Sequence, residues 1–337
     1  MRVLGVETSC DECSVAVVED GARILGQIIA TQTDQHAPYR GVVPEIAGRT
    51  HTEWISGVYA RALHEAGVEA SELDGIAVTT RPGLSGSLVV GLSFAKALAF
   101  GLDIPLIGVD HVLAHLYAPQ LEQDVEYPFL GLLVSGGHTI IARVSDPLSM
   151  EILGTTIDDA CGEAFDKVAK HLNLGYPGGV AIDRLASEGD PRAFSFPDSR
   201  LHKGDHRYDV SYSGLKTAVV NQLDKFWNRE YEKSNANIAA GFQKAAIDLL
   251  LKRLYLAVED TGLRRVVAGG GVAANSRLRR TLADHPELDA VYPSLELCTD
   301  NGAMVAGLAY HLLRRGDRDD LTVDVSPRVT GFRTTYP

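Results

Sequence analysis

Apolar residues in this chain fall in short blocks separated by polar turns. Residues 3–18, Val-Leu-Gly-Val-Glu-Thr-Ser-Cys-Asp-Glu-Cys-Ser-Val-Ala-Val-Val, read as an apolar strand, a polar turn and a returning strand. Residues 129–144, Phe-Leu-Gly-Leu-Leu-Val-Ser-Gly-Gly-His-Thr-Ile-Ile-Ala-Arg-Val, repeat that plan: an apolar-apolar-Gly-apolar opening, a turn bearing serine, and a strand back. A chain built twice, each half opening on such a hairpin, predicts a duplicated nucleotide-binding fold with phosphates held between the two turns. Two plain hairpins satisfy the same pattern.

Between and after the hairpins helix and strand alternate, the signature of an α/β protein. Thr52 to Ala66 has apolar residues at helical spacing, and Gly75 to Thr80 is a strand. Pro82-Gly-Leu-Ser-Gly-Ser87 turns into an apolar helix through Phe100, and Leu106 to Val109 is a short strand leading to a helix with His111 and His115. Later, Arg265-Val-Val-Ala-Gly-Gly-Gly271 and Ala273 to Arg280 form a strand, a glycine turn and a helix. Those glycines let a ligand approach the backbone, or let strand and helix pack tightly. They match neither the dinucleotide Gly-x-Gly-x-x-Gly pattern nor the phosphate loop that ends in Gly-Lys-Ser/Thr.

Length and composition narrow the picture. At 337 residues the chain exceeds what one core usually organises, so two lobes are expected. With 45% hydrophobic and 23% charged residues the composition is that of a globular protein. No signal sequence is expected at Met1, and no apolar stretch is expected to reach the ~20 residues of a membrane helix, which places the protein in the cytoplasm without membrane contact. Four cysteines, at 10, 13, 161 and 298, are too scattered for a disulfide framework, and Cys10 and Cys13 read as turn residues. A net charge of −12 argues against a stand-alone nucleic-acid binder, because phosphate contacts depend on lysine and arginine.

The candidate chemistry begins with His111 and His115. Four-residue spacing on a helix puts both imidazoles on one face, where they can grip a divalent cation, and the segment Thr299-Asp-Asn-Gly302 can supply a carboxylate. The same pair also occurs in helices that bind nothing. Asp300 can equally be a helix N-cap ahead of Gly302, Asp166 a surface carboxylate paired with Lys170, Gly179 a turn glycine after Pro177, and His138 a polar residue at a strand start.

Several segments together carry a family resemblance. Glu7-Thr-Ser-Cys-Asp-Glu12, Gly41-Val-Val-Pro-Glu45, Pro82-Gly-Leu84, His111-x-x-x-His115, Leu133-Val-Ser-Gly-Gly-His-Thr139, Asp158-Asp-Ala-x-Gly-Glu-Ala-Phe-Asp-Lys167, Tyr176-Pro-Gly-Gly179, Ser213-Gly-Leu-Lys-Thr217, Gly269-Gly-Gly-Val272 and Cys298-Thr-Asp-Asn-Gly-Ala303 stand in this order. The chain resembles, over nearly its whole length, the bacterial tRNA adenosine threonylcarbamoyltransferases, counterparts of the archaeal and eukaryotic Kae protein.

The resemblance implies a duplicated actin-like, sugar-kinase-like and heat-shock-ATPase-like fold. Its first lobe would take residues 1–125 plus 300–337 and its second residues 126–299. It implies transfer of threonylcarbamoyl from threonylcarbamoyl-AMP to the N6 amine of the adenosine beside the anticodon, in tRNAs reading codons that begin with A. His111, His115 and Asp300 would hold one divalent metal, Fe(2+) by family precedent, with Zn(2+) also suiting the ligands. Val134, Ser135, Gly136, Gly137 and His138 would receive the donor, with Asp166, Gly179, Asp183 and Asn275 completing its site. Glu12 and Asp11 lie near the first turn, but neither is assigned as a general base.

The implied partners are tRNA, a smaller related protein lacking the metal site, and a separate ATPase. Lys216, Lys225, Arg264, Arg265, Arg277, Arg279 and Arg280 are candidate basic contributors. Alternative readings are a sugar kinase or ATPase of the same fold, a non-catalytic scaffold, and a metallopeptidase. The last conflicts with Val112, which stands where the peptidase motif needs glutamate.

Overall fold

The computed structural model describes residues 1–198 and 206–328. It separates into two compact units: Met1–Tyr127 with Ser145–Met150 and Pro293–Pro337, and Pro128–Val144 with Glu151–Tyr292. The sequence-based division set its boundaries at 125/126 and 299/300.

The first unit is built on five strands: β1 (Arg2–Glu7), β2 (Glu12–Glu19), β3 (Arg23–Thr31), β4 (Gly75–Arg81) and β5 (Leu106–Asp110). Their order is β3-β2-β1-β4-β5. The hairpin partners β1/β2 and β2/β3 run antiparallel, whereas β1/β4 and β4/β5 run parallel. Parallel neighbours cannot be joined by a tight turn, so the helices Pro44–Ala66 and Ser85–Leu102 make the two crossovers.

The second unit repeats this plan with β6 (Phe129–Val134), β7 (Thr139–Asp146), β8 (Ser149–Thr155), β9 (Arg265–Gly269) and β10 (Asp289–Val291). Read from the β8 edge, its order β8-β7-β6-β9-β10 is again third, second, first, fourth, fifth. The pair β6/β7 is antiparallel, and β6/β9 and β9/β10 are parallel. The duplication expected from the two hairpins therefore extends to complete sheets. β3, β8 and β10 were not expected from the sequence. They close the sheet edges, where one side lacks a strand partner and the apolar pattern is diluted: β3 is half-buried for most of its length.

The central strand β1 is buried from Val3 to Glu7, as a strand covered on both faces must be. Leu4 and Val6 join Val15, Val17, Ile76 and Val78 in a core that Ile55, Val58 and Ala62 of helix Pro44–Ala66 and Leu92, Ala95 and Ala99 of helix Ser85–Leu102 complete. The opposite face, presented by Gly5, receives the helix Gly302–Arg315. A Cβ at Gly5 would lie 2.1 Å from the carbonyl oxygen of Gly302 and 2.6 Å from the nitrogen of Ala306, so strand and helix backbones touch there.

Helix Ser85–Leu102 is long and apolar enough to cross a membrane by length and composition, which corrects the expectation that no stretch would be. One side of it, Leu88, Leu92, Ala95 and Ala99, is buried within its own unit, as a core helix requires. Cys13 lies buried within β2 and is a strand residue rather than the turn residue expected, while Cys10 remains in the turn.

Candidate metal centre and donor turn

The helix that carries the paired histidines, His111–Tyr117, starts at His111 itself, directly after β5. Asp110 caps it, accepting the backbone N–H groups of Val112 and Leu113 at 2.9 and 3.2 Å. Burial pushes the Asp110 carboxyl up to about 6. Both histidines are buried, and their rings meet edge to face with centroids 4.5 Å apart.

Asp300 reaches them from the segment ahead of helix Gly302–Arg315. Its Oδ1 stands 3.0 Å from His115 Nε2 and 3.6 Å from His111 Nε2. One donor atom from each of His111, His115 and Asp300 lies within 4.8 Å of the others. Two imidazoles and one carboxylate suit a first-row divalent cation, and they leave coordination positions open. The donor set therefore fits the metal that the resemblance implies.

The N-cap role considered for Asp300 belongs instead to Asn301. Its side-chain oxygen accepts from Met304 N at 2.9 Å, and its amide donates to the carbonyls of Leu297 and Thr299 at 3.3 and 2.9 Å. That division of labour leaves the Asp300 carboxylate to the histidines. Val112, at the position a peptidase would fill with glutamate, is buried in the core.

The electrostatics of the centre are set by burial and by crowded carboxylates. Burial opposes a charge on His111, yet Asp300 and Glu7 lift it to about 9. Burial and the neighbouring His111 push His115 down. Burial also works against a charged Glu7, but His111 holds its carboxyl below the ordinary range. Glu12 is pushed well up by burial and by the charges of Asp300 and Asp11.

The other expected site residues lie in the second unit. Between β6 and β7, Ser135 N donates to the His138 carbonyl at 2.8 Å and His138 N donates to Ser135 Oγ at 3.0 Å, closing the turn. Gly136 and Gly137 are exposed at its tip, with nothing within 4 Å of where a Cβ would stand. The turn rests on the start of helix Cys161–His171: Gly162 N donates to Ser135 O at 3.1 Å, and a Cβ on Gly162 would lie 2.7 Å from that oxygen. Val134 ends β6 beneath Gly270, whose φ of 86° only glycine adopts readily and whose Cβ would stand 2.5 Å from Val134 O. Tight packing therefore accounts for Gly270, whereas Gly271 has open space around it.

Asp166 lies on helix Cys161–His171. Its Oδ1 accepts the N–H of Gly178 at 2.8 Å, at the start of helix Gly178–Ala186, and Gly179 is in the first turn of that helix. Asp183, on the same helix, accepts from Ser276 Oγ at 2.7 Å, Ser276 N at 3.1 Å, Asn275 Nδ2 at 3.4 Å and the amide of Gln243. Asn275 caps helix Ser276–Ala283 through Arg277 N and Leu278 N. Asp183, Asn275, Ser276 and Gln243 form one polar knot, of which sequence reasoning missed the last two.

Most of the candidate basic residues already have acidic partners within their own unit. Lys216 pairs with Asp159, Arg264 with Glu287, Arg265 with Asp289 and Arg277 with Asp248. Arg279 lies over the ring of Tyr292, 4.8 Å from its centroid.

Comparison with known proteins bears on the fold and the family. Full-length HypF in its phosphate- and nucleotide-bound form is similar in structure, with TM-score 0.61 at 16% identity, over 93% of this chain and 55% of that one. The (R)-2-hydroxyglutaryl-CoA dehydratase component A of Acidaminococcus fermentans gives TM-score 0.55 at 14% identity, over 92% and 98%. At that identity the likeness is one of fold, the duplicated actin-like fold of sugar kinases and heat-shock ATPases. In sequence, the tRNA N6-adenosine threonylcarbamoyltransferase of Treponema denticola is 61% identical over 332 residues, 98% of each chain. The protein of that name from Borreliella burgdorferi strain B31 is 50% identical over 336 residues, 100% of this chain and 96% of the relative. The model of the family, TsaD, tRNA N6-adenosine threonylcarbamoyltransferase, matches residues 23–307. Both the histidine pair His111 and His115 and the turn 134–138 lie inside that match, and the chain belongs to the tRNA N6-adenosine threonylcarbamoyltransferase family.

Proposed function

We propose that this chain is a transferase that moves the threonylcarbamoyl group of threonylcarbamoyl-AMP to the N6 amine of the adenosine beside the anticodon, in tRNAs reading codons that begin with A. The observation that carries the reading is the convergence of His111, His115 and Asp300 in a chain of this family. A bond forms between N6 and the carbamoyl carbon, the bond from that carbon to the phosphate oxygen breaks, and AMP leaves with the electron pair. The N6 proton passes to solvent or to the departing phosphate, so no protein base is assigned.

An aromatic amine is a poor nucleophile, and a divalent cation held by His111, His115 and Asp300 supplies Lewis-acid polarisation of the donor carbonyl. Iron(II) is the cation we assign, because two histidines and one carboxylate with open positions favour it, with zinc(II) the alternative. Backbone amides of Val134 to His138 would receive the anionic part of the donor, and the bare tip at Gly136 and Gly137 leaves room for it. Asp166 and Gly179 would contact its ribose. Asp183 and Asn275 would meet the base and ribose edges while holding each other in place.

The partners of this reading are tRNA, a smaller related protein without the metal site, and a separate ATPase, all in the cytoplasm. A net charge of −12, with its named cations largely paired, supports presentation of tRNA by an assembly rather than by this chain alone.

The test is incorporation of labelled threonine into unmodified tRNA, with donor and partner proteins supplied. Incorporation with release of AMP is expected. Phosphoryl transfer from ATP to a small molecule, with no incorporation, would turn the reading to a kinase of the same fold. A second expectation separates the donor turn from the metal centre. Gly162→Ala forces the Ser135–Gly136 backbone aside and should weaken binding of a donor analogue about tenfold, roughly 1.4 kcal/mol, while leaving cation affinity unchanged. Calorimetric titration of each ligand checks it, and equal donor affinity would detach the turn from donor binding.

A further inference from the structure

We infer that Glu7 is the positioning residue of the cation site: its carboxylate fixes the His111 ring with Nδ1 protonated and Nε2 turned toward Asp300. The inference rests on reading His111, His115 and Asp300 as cation ligands.

Glu7 ends β1 and is fully buried, a costly place for a carboxylate unless its oxygens are all engaged. They are. Oε1 accepts the backbone N–H of Ser9 at 2.5 Å, and Oε2 accepts the hydroxyl of Thr79 at 2.6 Å and faces His111 Nδ1 at 3.0 Å. Strand geometry explains how it arrives there. Alternation puts Glu7 on the same face as Gly5, the face that receives helix Gly302–Arg315, and Asp300 precedes that helix. Parallel pairing of β1 with β4 sets Val6 beside Val78, which brings Thr79 next to Glu7.

The consequence for His111 is chemical. A neutral imidazole has one N–H and one lone pair, so a carboxylate at Nδ1 puts the proton there and leaves the lone pair on Nε2. Ser9 Oγ, 3.2 Å from the same nitrogen, lies beside this contact. His115 differs: its buried Nδ1 has no hydrogen-bond partner among the described residues, so Asp300 and packing alone orient that ring. Glu7 thus places a carboxylate on the far nitrogen of His111, whereas Asp300 faces His115 through Nε2. Nothing in the motif at Glu7-Thr-Ser-Cys-Asp-Glu12 marks its first residue as serving a helix about a hundred positions later.

The full chain is titrated with Zn(2+), and anaerobically with Fe(2+), against a competing chelator, and the ring nitrogens of His111 are followed by 15N NMR with Zn(2+) bound. The expected results are a His111 Nδ1–H tautomer whose proton carries the downfield shift of a hydrogen bond to a carboxylate in the unaltered chain, and affinity about 10–100-fold weaker in Glu7→Ala with that hydrogen-bond shift lost. Glu7→Gln, whose amide oxygen still accepts from Nδ1–H, should recover part of the affinity. Glu7→Ala that binds as tightly as the unaltered chain overturns the inference. If Glu7→Ala does not fold, Glu7→Gln and Thr79→Val decide by the same measurement: weaker binding in both supports the role, and unchanged binding in both overturns it. An unaltered chain that binds neither cation overturns the ligand reading itself, a result distinguishable from failure of the Glu7 role alone.

Discussion

The double variant His111→Ala, His115→Ala should lose its cation and transfer threonylcarbamoyl about 10³-fold more slowly, on the order of 4 kcal/mol of transition-state stabilisation. Two of the three converging side chains are gone, and Asp300 alone, with its side chain 16% exposed, is an ordinary carboxylate. Asp300→Asn is the shape-preserving companion. It keeps the volume beside His115 but removes the negative charge that a divalent cation needs, and a similar loss is expected. Labelled-threonine incorporation and metal content after dialysis are measured on the same samples. Transfer that persists near the unaltered rate in cation-free variants would remove the metal from the mechanism. Cation retained at full stoichiometry would move the metal site elsewhere. Circular dichroism distinguishes either result from unfolding.

Substituting Gly5 by alanine should destabilise the unit containing Met1–Tyr127 by about 3 kcal/mol or more, since the methyl meets backbone atoms that have no rotamer to change. Its Cβ would lie 2.1 Å from Gly302 O, 2.6 Å from Ala306 N and 2.9 Å from Ala306 Cβ, so helix Gly302–Arg315 must move off β1. Asp300 stands just ahead of that helix, and a shift of an ångström spoils its approach to His115. The fraction of Gly5→Ala that folds should therefore bind cation more weakly too. Gly57→Ala is the control with the opposite sign. Gly57 sits inside helix Pro44–Ala66 with nothing within 4 Å of a Cβ, and alanine there should stabilise by roughly 0.5–1 kcal/mol. Urea unfolding of the three chains checks both signs. A Gly5→Ala chain as stable as the unaltered one would mean that the strand and helix do not pack as closely as described.

Much of the fold was legible because its strongest elements are central ones. β1/β2 and β6/β7 carry dense apolar blocks on either side of polar turns, and a strand buried on both faces writes its burial into every residue. The edge strands β3, β8 and β10 were not legible. Each is paired along one side only, so residues such as Arg23, Gln27 and Glu151 are tolerated and the period is lost. The histidine pair was visible as a spacing, but its partner carboxylate was ambiguous. Asp300 and Asn301 are neighbours with overlapping talents, and either can cap a helix by residue type. Only the direction of each side chain decided that Asn301 caps and Asp300 faces the histidines. Glu7 shows the limit from the other side, since a carboxylate at a strand end looks like a polar turn residue until Thr79 and His111 close around it.

The sequence by itself determined the α/β character, the duplication, the helical spacing of His111 and His115, and the family, because these depend on local periodicity and on ordered residue types. The tertiary structure decided that the Asp300 carboxylate meets the two histidines while Asn301 caps the next helix, which glycines are contact points rather than turns, and which polar side chains hydrogen-bond one another. Those outcomes turn on distances between residues far apart in the chain, such as Gly5 to Gly302 and His115 to Asp300, 185 positions from each other. Hydrogen bonds and backbone contacts act over a few ångströms of space, and no local pattern along a chain records which distant segment will arrive within that range.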